Sequence, residues 1–297
     1  MTTPIVLLLD VLPADASVPD DELLATIHDA GDGTGALSVF DLGASRGDGV
    51  FETLGVVNGF AQSVDAHVER LANSAAALDL PAPHLAQWRA AIAALAARLP
   101  SEGQSSIKLV LTRGVDGAGK PTGWIAGVPS SGGFPEREHG VRVVLLERGY
   151  ASDVQERSPW LLAGAKTLSY AVNMAAIREA KRRGADDILF TSSDGYVLEG
   201  PTSTLIARID GVYATPPASS GILAGTTQLA LFEHLEAEGD ATAYRMLTTD
   251  DLARADGIWL LSSVRLAAPI SELDGVPCPL HSELTRRFND ALLARTD

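Results

Sequence analysis

The chain has 297 residues, enough to bury one large hydrophobic core or two of ordinary domain size. Its formal net charge of −15 argues against a nucleic-acid partner, because phosphate backbones are bound by clustered Lys and Arg. The single cysteine excludes an internal disulfide and a cysteine metal cluster and fits a reducing compartment, so we expect a cytoplasmic protein.

The first half of the chain mixes predicted strands and helices. The apolar opening through Asp10 is too short to cross a membrane and lacks the basic region of a signal peptide, so it predicts a first strand. Asp65 is predicted to cap the first long helix. Further strands are predicted at 50–57, 107–112 and 141–146, and helices at about 65–80 and 83–99. The Gly-, Pro- and Ser-rich stretch Gly114–Pro135 predicts a loop.

The second half follows a polar, aperiodic stretch. Residues 149–160 predict a linker between a small N-terminal domain (1–148) and a larger C-terminal domain (161–297). Helices are predicted at about 170–183, at 226–238, after Thr248 and at the C-terminus, hairpins at Ser193–Gly195 and Asp210–Gly211, and a strand at 257–261. Because strands and helices are interspersed without regular β-α-β alternation, the pattern favours an α+β fold.

Two other kinds of site are argued against by the sequence. The run Gly114–Lys120 follows a strand and nearly spells a phosphate-binding P-loop. However, Pro121 stands where a Ser or Thr must reach Mg²⁺. The six histidines are scattered without metal-ligand spacing, so we predict no metal site.

Lys166 is the first candidate for chemistry. It is one of only four lysines and lies in the run Trp160–Ala171, which contains no other charged residue. Desolvation lowers the pKa of a lysine and makes its amine a nucleophile that can form a Schiff base. A lysine whose stem snorkels at a strand end explains the same pattern, so the run alone leaves both interpretations open.

Three further features favour a lysine that carries a cofactor. Glu199 ends a hydrophobic strand, where its carboxylate could keep a pyridinium nitrogen protonated. After Gly225, the predicted helix begins with Thr226 and Thr227, whose hydroxyls and backbone N–H groups suit a phosphate. Ser263 ends another strand and could add a hydroxyl. A solvated strand end and an ordinary capped helix start explain these features equally well when each is taken alone.

In their order along the chain, these residues resemble the motifs of the fold-type IV pyridoxal-phosphate enzymes. The resemblance covers nearly the whole chain and includes Arg46–Thr53 and the His-x-x-Arg-Leu motif at His67–Leu71. It implies a two-domain fold like that of D-amino acid aminotransferase, pyridoxal 5′-phosphate between the domains, and a homodimer. Lys166 is the implied Schiff-base and catalytic residue. The implied cofactor contacts are Arg70, Lys166, Tyr170, Glu199, Gly225, Thr226, Thr227 and Ser263. Thr204 departs from the family, because most relatives carry Asn there.

Within the family, the sequence is most similar to actinobacterial aminodeoxychorismate lyases. Tyr170 follows the lysine one position earlier than in branched-chain aminotransferases. The Pro-Arg-x-His carboxylate trap of D-amino acid aminotransferases is absent after Thr112–Gly114. The resemblance implies 4-amino-4-deoxychorismate as the amine substrate, and pyruvate and 4-aminobenzoate as products. Arg46 and Arg265 are then candidates to bind the substrate's carboxylates, although surface salt bridges explain two arginines as well.

Two other functions stay open. A class IV aminotransferase acting on a branched-chain amino acid, a D-amino acid or an (R)-amine would share every cofactor contact. A non-catalytic binding module on this fold is the alternative from a different class. The presence of both Lys166 and Glu199 counts against that module.

Overall fold

The computed structural model describes residues 4–130 and 132–296. These residues form two compact units. Unit 1 contains the described residues up to Gly133 together with Ala165–Tyr170 and Thr296, and unit 2 contains Phe134–Gly164 and Ala171–Arg295. No helix within the described ranges is both long and apolar enough to cross a lipid bilayer.

Unit 1 is built on one antiparallel sheet. Its strands are β1 (Ile5–Leu9), β2 (Ile27–Asp29), β3 (Gly49–Val57), β4 (Phe60–Ala61), β5 (Gln104–Thr112) and β6 (Thr122–Pro129). Its helices are α1 (Asp20–Leu23), α2 (Leu42–Arg46), α3 (Val64–Ala77) and α4 (Leu85–Ala96). The strands lie in the order β2-β1-β6-β5-β3-β4, and each neighbouring pair is antiparallel.

The two faces of this sheet differ. Val50 and Leu54 of β3 are fully buried in a hydrophobic cluster that includes side chains of α3 and α4. Because alternate residues of a strand point to opposite faces, Phe51 of β3 lies on the other face. Ile107 and Leu109 of β5 belong to the same buried cluster, so Lys108 between them also points to the face of Phe51.

The segment Ala165–Tyr170 pairs with β3 along the edge that lies opposite β5. The Phe51 amide donates to the Lys166 carbonyl at 3.0 Å, and the Leu168 amide donates to the Gly49 carbonyl at 2.8 Å. Val50 and Thr167 form an isolated antiparallel bridge. These bonds explain why the segment belongs to unit 1, although residues of unit 2 flank it in the sequence.

Unit 2 is built on a mixed sheet. Its strands are β7 (Val141–Glu147), β8 (Asp187–Thr191), β9 (Tyr196–Val197), β10 (Thr204–Ile209), β11 (Val212–Thr215), β12 (Ala241–Tyr244), β13 (Leu247–Thr248), β14 (Gly257–Ser262), β15 (Leu266–Leu273) and β16 (Val276–Pro277). Its helices are α5 (Glu136–His139), α6 (Val154–Arg157), α7 (Ala171–Arg182), α8 (Thr226–Ala237), α9 (Thr249–Ala253) and α10 (Ser282–Leu293). The order is β12-β11-β10-β14-β15-β7-β8-β9-β13, with β16 paired to β15.

β14 lies near the middle of this sheet and is buried on both faces. Trp259 and Leu261 pack in a cluster with side chains of α8 and α10. Ile258 and Leu260 belong to a separate cluster that includes Leu252 of α9. The strand therefore reads as a continuous apolar run, as expected for a strand covered on both sides.

The observed division of the chain differs from the predicted domains 1–148 and 161–297 with a linker at 149–160. β7 pairs in parallel with β8 and β15, so unit 2 begins at Phe134. The predicted linker contains α6 and a 3₁₀ turn at Pro159–Leu161, both in unit 2. Elements this short leave no periodicity in the sequence, which is why the stretch resembled a linker.

Two local predictions are wrong. The predicted loop Gly114–Pro135 contains β6, whose glycines reflect close packing, since a Cβ on Gly127 would lie 3.1 Å from a methyl carbon of Leu99. The predicted cap Asp65 is the second residue of α3, and the N-cap is Ser63. Asp65 instead accepts a hydrogen bond from Arg89 Nε at 2.6 Å.

Candidate active site

Lys166 is held in unit 1 through its backbone. Its amide donates to Ser74 Oγ of α3 at 3.1 Å, and its carbonyl accepts from Phe51. Its Nζ lies 4.6 Å from the centroid of the Phe51 ring. The ring of Tyr170 packs edge-on against the same ring, with 5.4 Å between centroids. The fold therefore brings the predicted attachment lysine and the predicted tyrosine together on one aromatic side chain.

Arg70 belongs to a buried charged network between β3 and α3. Its Nε and Nη2 donate to the two carboxylate oxygens of Glu52 at 2.7 and 2.8 Å, and Glu52 is fully buried. His67 Nδ1 lies 2.7 Å from Glu52 Oε2. Burial acts to raise the pKa of Glu52, but the charge and hydrogen bonds of Arg70, with a smaller contribution from His67, lower it to about 2. Glu52 is therefore a carboxylate at neutral pH.

His67 completes the network as a neutral imidazole. Burial lowers its pKa by more than the hydrogen bond to Glu52 raises it. The positive charges of Arg70 and Lys166 lower the pKa of His67 further, so both cations act on the same buried ring. The network thus contains one positive and one negative charge at neutral pH.

Glu52 is a residue whose role the sequence reasoning missed. The contact with Glu52 fixes the orientation of Arg70 before any ligand binds, and it uses two of the five N–H donors of the guanidinium. The sequence did contain a signal. Glu52 lies on the same face of β3 as the core residues Val50 and Leu54, where a carboxylate without a partner is costly. The contact between Arg70 and a phosphate stays a prediction.

In unit 2, three predicted hydroxyls meet at the start of α8. Thr226 and Thr227 open the helix, and their Oγ1 atoms lie 3.5 and 3.4 Å from Ser263 Oγ. Both threonines are buried. The N-cap is Gly225, which has no side chain with which to accept a hydrogen bond from the first helical N–H groups. Hydroxyl donors and the positive end of a helix dipole fit a phosphate group such as that of pyridoxal 5′-phosphate.

Thr204 lies directly behind this helix start. It is buried on β10, and a Cβ added to Gly225 would collide with its Oγ1. Glycine at 225 therefore allows the close approach of α8 to β10. Thr204, which departs from the family pattern, therefore lies next to Gly225, one of the predicted cofactor contacts.

Glu199 follows β9 in unit 2. Its Oε1 accepts a hydrogen bond from the Leu223 amide at 3.2 Å. Burial raises the pKa of the neighbouring Tyr150, and the negative charge of Glu199 raises it further while Arg148 opposes both. Asn173 Nδ2 donates to the Pro201 carbonyl at 2.7 Å, which fixes the backbone just after Glu199. A carboxylate held in this way suits a pyridinium nitrogen.

The two predicted substrate arginines lie in different surroundings. Arg46 is the exposed last residue of α2 in unit 1. Arg265 lies in unit 2, where its Nη1 donates to Asp187 Oδ2 at 3.0 Å. Its Nε and Nη2 are buried without a hydrogen-bond partner among the described residues. Neither arrangement tests whether these residues bind a substrate, so both roles stay predictions.

Lys108 is a second cation that the sequence reasoning did not select. Its Nζ lies 4.9 Å from the centroid of the Phe51 ring, the same ring that Lys166 contacts. Desolvation lowers the pKa of its amine, and no ion pair joins Lys108 to an acid within residues 4–130 and 132–296. A lysine that interrupts the apolar strand β5 was the available signal.

Comparison with known proteins identifies the family. The sequence profile of amino-transferase class IV matches residues 49–273. The chain therefore belongs to the class IV aminotransferases. It is 45% identical over 249 residues to the bifunctional aminodeoxychorismate lyase / D-amino acid transaminase of Mycobacterium tuberculosis, an alignment that covers 80% of this chain and 86% of that protein.

Solved structures agree with this assignment. A fold IV transaminase from Curtobacterium pusillum superposes with a TM-score of 0.92 at 49% identity, over 99% of this chain and 100% of that one. The PLP-bound form of a hypothetical aminotransferase from M. tuberculosis gives a TM-score of 0.85 at 40% identity, over 98% and 99% of the two chains. The predicted α+β, fold-type IV architecture and the predicted cofactor, pyridoxal 5′-phosphate, are confirmed.

Proposed function

We propose that this enzyme is a 4-amino-4-deoxychorismate lyase, which releases pyruvate and 4-aminobenzoate. The observation that carries the proposal is the amine of Lys108, which lies near the same Phe51 ring as the amine of Lys166 and has no acidic partner in the part of the chain that the structure describes. In a protein with a formal charge of −15, such a cation suits an anionic substrate. Aminodeoxychorismate carries two carboxylates.

In this proposal, the residues that the family resemblance implies hold the cofactor. Lys166 attaches pyridoxal 5′-phosphate covalently, Arg70 and the hydroxyls of Thr226, Thr227 and Ser263 bind its phosphate, and Glu199 keeps its ring nitrogen protonated. The bound cofactor supplies an electron sink for the carbon that carries the substrate's amine. Because Glu52 already orients the Arg70 side chain, little of its conformational entropy is lost when the phosphate binds.

Lys166 then acts as the base. Its Nζ removes the proton from the ring carbon that bears the amine. Loss of this proton allows the ring to expel enolpyruvate, which becomes pyruvate on protonation, and the remaining ring is aromatic 4-aminobenzoate. Lys108, Arg46 and Arg265 are the cations proposed to bind the two carboxylates.

A D-amino acid transaminase is the second candidate. It is favoured by the M. tuberculosis relative, whose name includes both activities, and by the C. pusillum structure, described as a transaminase. Both reactions need the same proton removal by Lys166. They differ in where Lys166 would deliver that proton and in whether a keto acid is required as acceptor.

Product analysis separates the two candidates. Purified enzyme is incubated with aminodeoxychorismate and, separately, with pairs of amino acids and keto acids. The lyase predicts pyruvate and 4-aminobenzoate in equal amounts without a keto acid. A transamination cycle that proceeds at a good rate while no 4-aminobenzoate forms would refute the lyase.

Substitution of Lys108 tests whether its charge contributes to binding the substrate. Lys108→Met keeps the apolar stem and removes the charge, so we expect kcat/KM for aminodeoxychorismate to fall about 10- to 100-fold, equivalent to roughly 1.4–2.7 kcal/mol. Lys181→Met, at the exposed end of α7, is the matched control. Equal kcat/KM in both variants would remove Lys108 from the substrate site.

We also propose a homodimer, as the family resemblance implies. Val39 and Phe40 are adjacent apolar residues that are 80% and 72% exposed, an arrangement typical of an interaction surface. Light scattering on the purified enzyme should give twice the chain mass. A monomer mass at working concentration would contradict the proposal.

A further inference from the structure

Arg137 of α5 binds the turn that joins β14 to β15. Its Nε donates to the Arg265 carbonyl at 2.7 Å, and its Nη2 donates to the Val264 carbonyl at 2.9 Å. The guanidinium also lies over the ring of Phe134, 4.1 Å from its centroid. Burial lowers the pKa of Arg137 to about 10, and the nearby charge of Glu136 offsets only part of that effect. A partly buried cation here is therefore hydrogen-bonded to backbone carbonyls of a turn.

This turn needs such support because of its backbone. Ser262 of β14 pairs with Leu266 of β15, so three residues form the loop between them. Leu266 has a φ of 60°, a left-handed conformation that three-residue hairpin loops usually give to glycine. Its side chain is only 2% exposed and packs in the cluster that includes α8 and α10. The leucine anchors one side of the turn, and Arg137 holds the two carbonyls that precede it.

The first residue of the loop is Ser263, whose hydroxyl meets those of Thr226 and Thr227. We propose that Arg137 is a positioning residue for the cofactor phosphate: it fixes the β14–β15 turn so that Ser263 stays against the start of α8. The inference rests on the proposed assignment of the phosphate to Thr226, Thr227 and Ser263. Arg137 acts through the turn and needs no contact with the phosphate.

Comparing two forms of the cofactor isolates this role. Pyridoxal lacks the phosphate of pyridoxal 5′-phosphate but keeps the aldehyde that reacts with Lys166. Arg137→Met should raise the Kd of the apoenzyme for pyridoxal 5′-phosphate about tenfold, comparable to the loss of one hydrogen bond to a charged group. The Kd for pyridoxal should change less than about twofold. Arg142→Met is the matched control, because Arg142 forms an exposed ion pair with Asp186 in the same unit.

A double-mutant cycle then tests whether Arg137 acts through Ser263. Ser263→Ala should itself lower the preference for pyridoxal 5′-phosphate over pyridoxal. If Arg137 works only by placing Ser263, adding Arg137→Met to Ser263→Ala should lower that preference no further. Thermal unfolding of the apoenzymes checks that each variant is folded. Arg137→Gln, which also lacks the two-pronged donor group, replaces Arg137→Met if the latter does not fold.

The outcomes distinguish this inference from the function beneath it. Equal losses of affinity for both cofactor forms in Arg137→Met would show a general structural role and overturn the inference. An unchanged preference in Arg137→Met, together with a reduced one in Ser263→Ala, would also overturn it. An unchanged preference in both Ser263→Ala and Thr227→Val would refute the phosphate assignment itself.

Discussion

Two regions of the molecule contain predicted phosphate contacts, and they are built differently. In unit 1, Arg70 is bound to the buried carboxylate of Glu52 between β3 and α3. In unit 2, neutral hydroxyls meet at the start of α8, and Arg137 donates hydrogen bonds to the turn that carries one of them. The first region depends on balanced buried charge and the second on close backbone geometry. Loss of a charge in the first region should therefore have its largest effect on stability, whereas substitutions in the second region should also lower cofactor affinity through the backbone.

The largest effect is expected at the lysine, which neither region can replace. Lys166→Arg should reduce activity at least 10³-fold, because both the covalent attachment and the base are lost. Borohydride reduction of the wild-type enzyme followed by peptide mapping should label Lys166. Lys181→Arg serves as the control for activity. A label on Lys108, which contacts the same aromatic ring, would contradict the assignment.

Removing the charge of Glu52 should break the first region. Glu52→Gln leaves Arg70 without its buried counter-ion, which is expected to cost about 3–5 kcal/mol of unfolding free energy and to lower Tm by about 10 °C. Asp65→Asn is the matched control, because its partner Arg89 and Asp65 itself are exposed. A Tm for Glu52→Gln close to that of the control would show that the network contributes little. Arg70→Ala alone would be ambiguous, since it also leaves the Glu52 carboxylate without a cationic partner.

Acid should weaken the same region in a defined pH window. The pKa of Glu52 is lowered from 4.5 to about 2 on folding, so between these values the unfolded chain binds a proton that the folded chain does not. The stabilisation that Glu52 contributes is therefore fully present above pH 4.5 and falls by on the order of 3 kcal/mol as the pH drops toward 2. The lowered pKa of His67 acts in the same direction below pH 6.5. The unfolding free energy, measured with denaturant from pH 3 to 7, should depend less steeply on pH in Glu52→Gln than in the wild type. Parallel plots of unfolding free energy against pH would contradict this origin.

Disturbing the close approach of α8 to β10 should test the second region. In Gly225→Ala the new methyl group collides with Thr204, so we expect a cost of about 1–3 kcal/mol and a Kd for pyridoxal 5′-phosphate raised about tenfold. Thr204→Ala in the same chain should restore much of that affinity by making space. Gly133→Ala is the control, because its Cβ would meet nothing within 4 Å. Failure of Thr204→Ala to rescue the variant would mean that Thr204 is not the obstacle.

Sequence patterns predicted the features that depend on a few neighbouring residues. The hairpin at Asp210–Gly211 has two positive φ angles, 51° and 81°, as its sequence indicates. The helix predicted after Thr248 is α9, which begins with a capping box formed by Thr248 and Asp251. The uncharged run around Lys166 drew attention to this residue, and its role as the attachment lysine stays a prediction.

The features that sequence reasoning missed depend on contacts between distant residues. Glu52 acquires its role only when α3 packs on β3 and brings Arg70 to it. β6 was read as a loop because its glycines meet side chains of α4 that lie far away in the sequence. Arg137 reaches carbonyls 127 and 128 positions later in the chain. No local pattern encodes such pairs, so the fold must be known before they can be found.

The discontinuity of unit 1 has a consequence for how the enzyme is made. During synthesis the residues up to Gly133 emerge from the ribosome first, and Lys166 emerges only after Phe134–Gly164, which belong to unit 2. Until Ala165–Tyr170 arrives, the edge of β3 at Gly49 and Phe51 lacks its hydrogen-bond partners. The nascent chain therefore exposes an unpaired strand edge, which favours association with other chains. Lys166, the proposed attachment lysine, arrives in the same step that covers this edge.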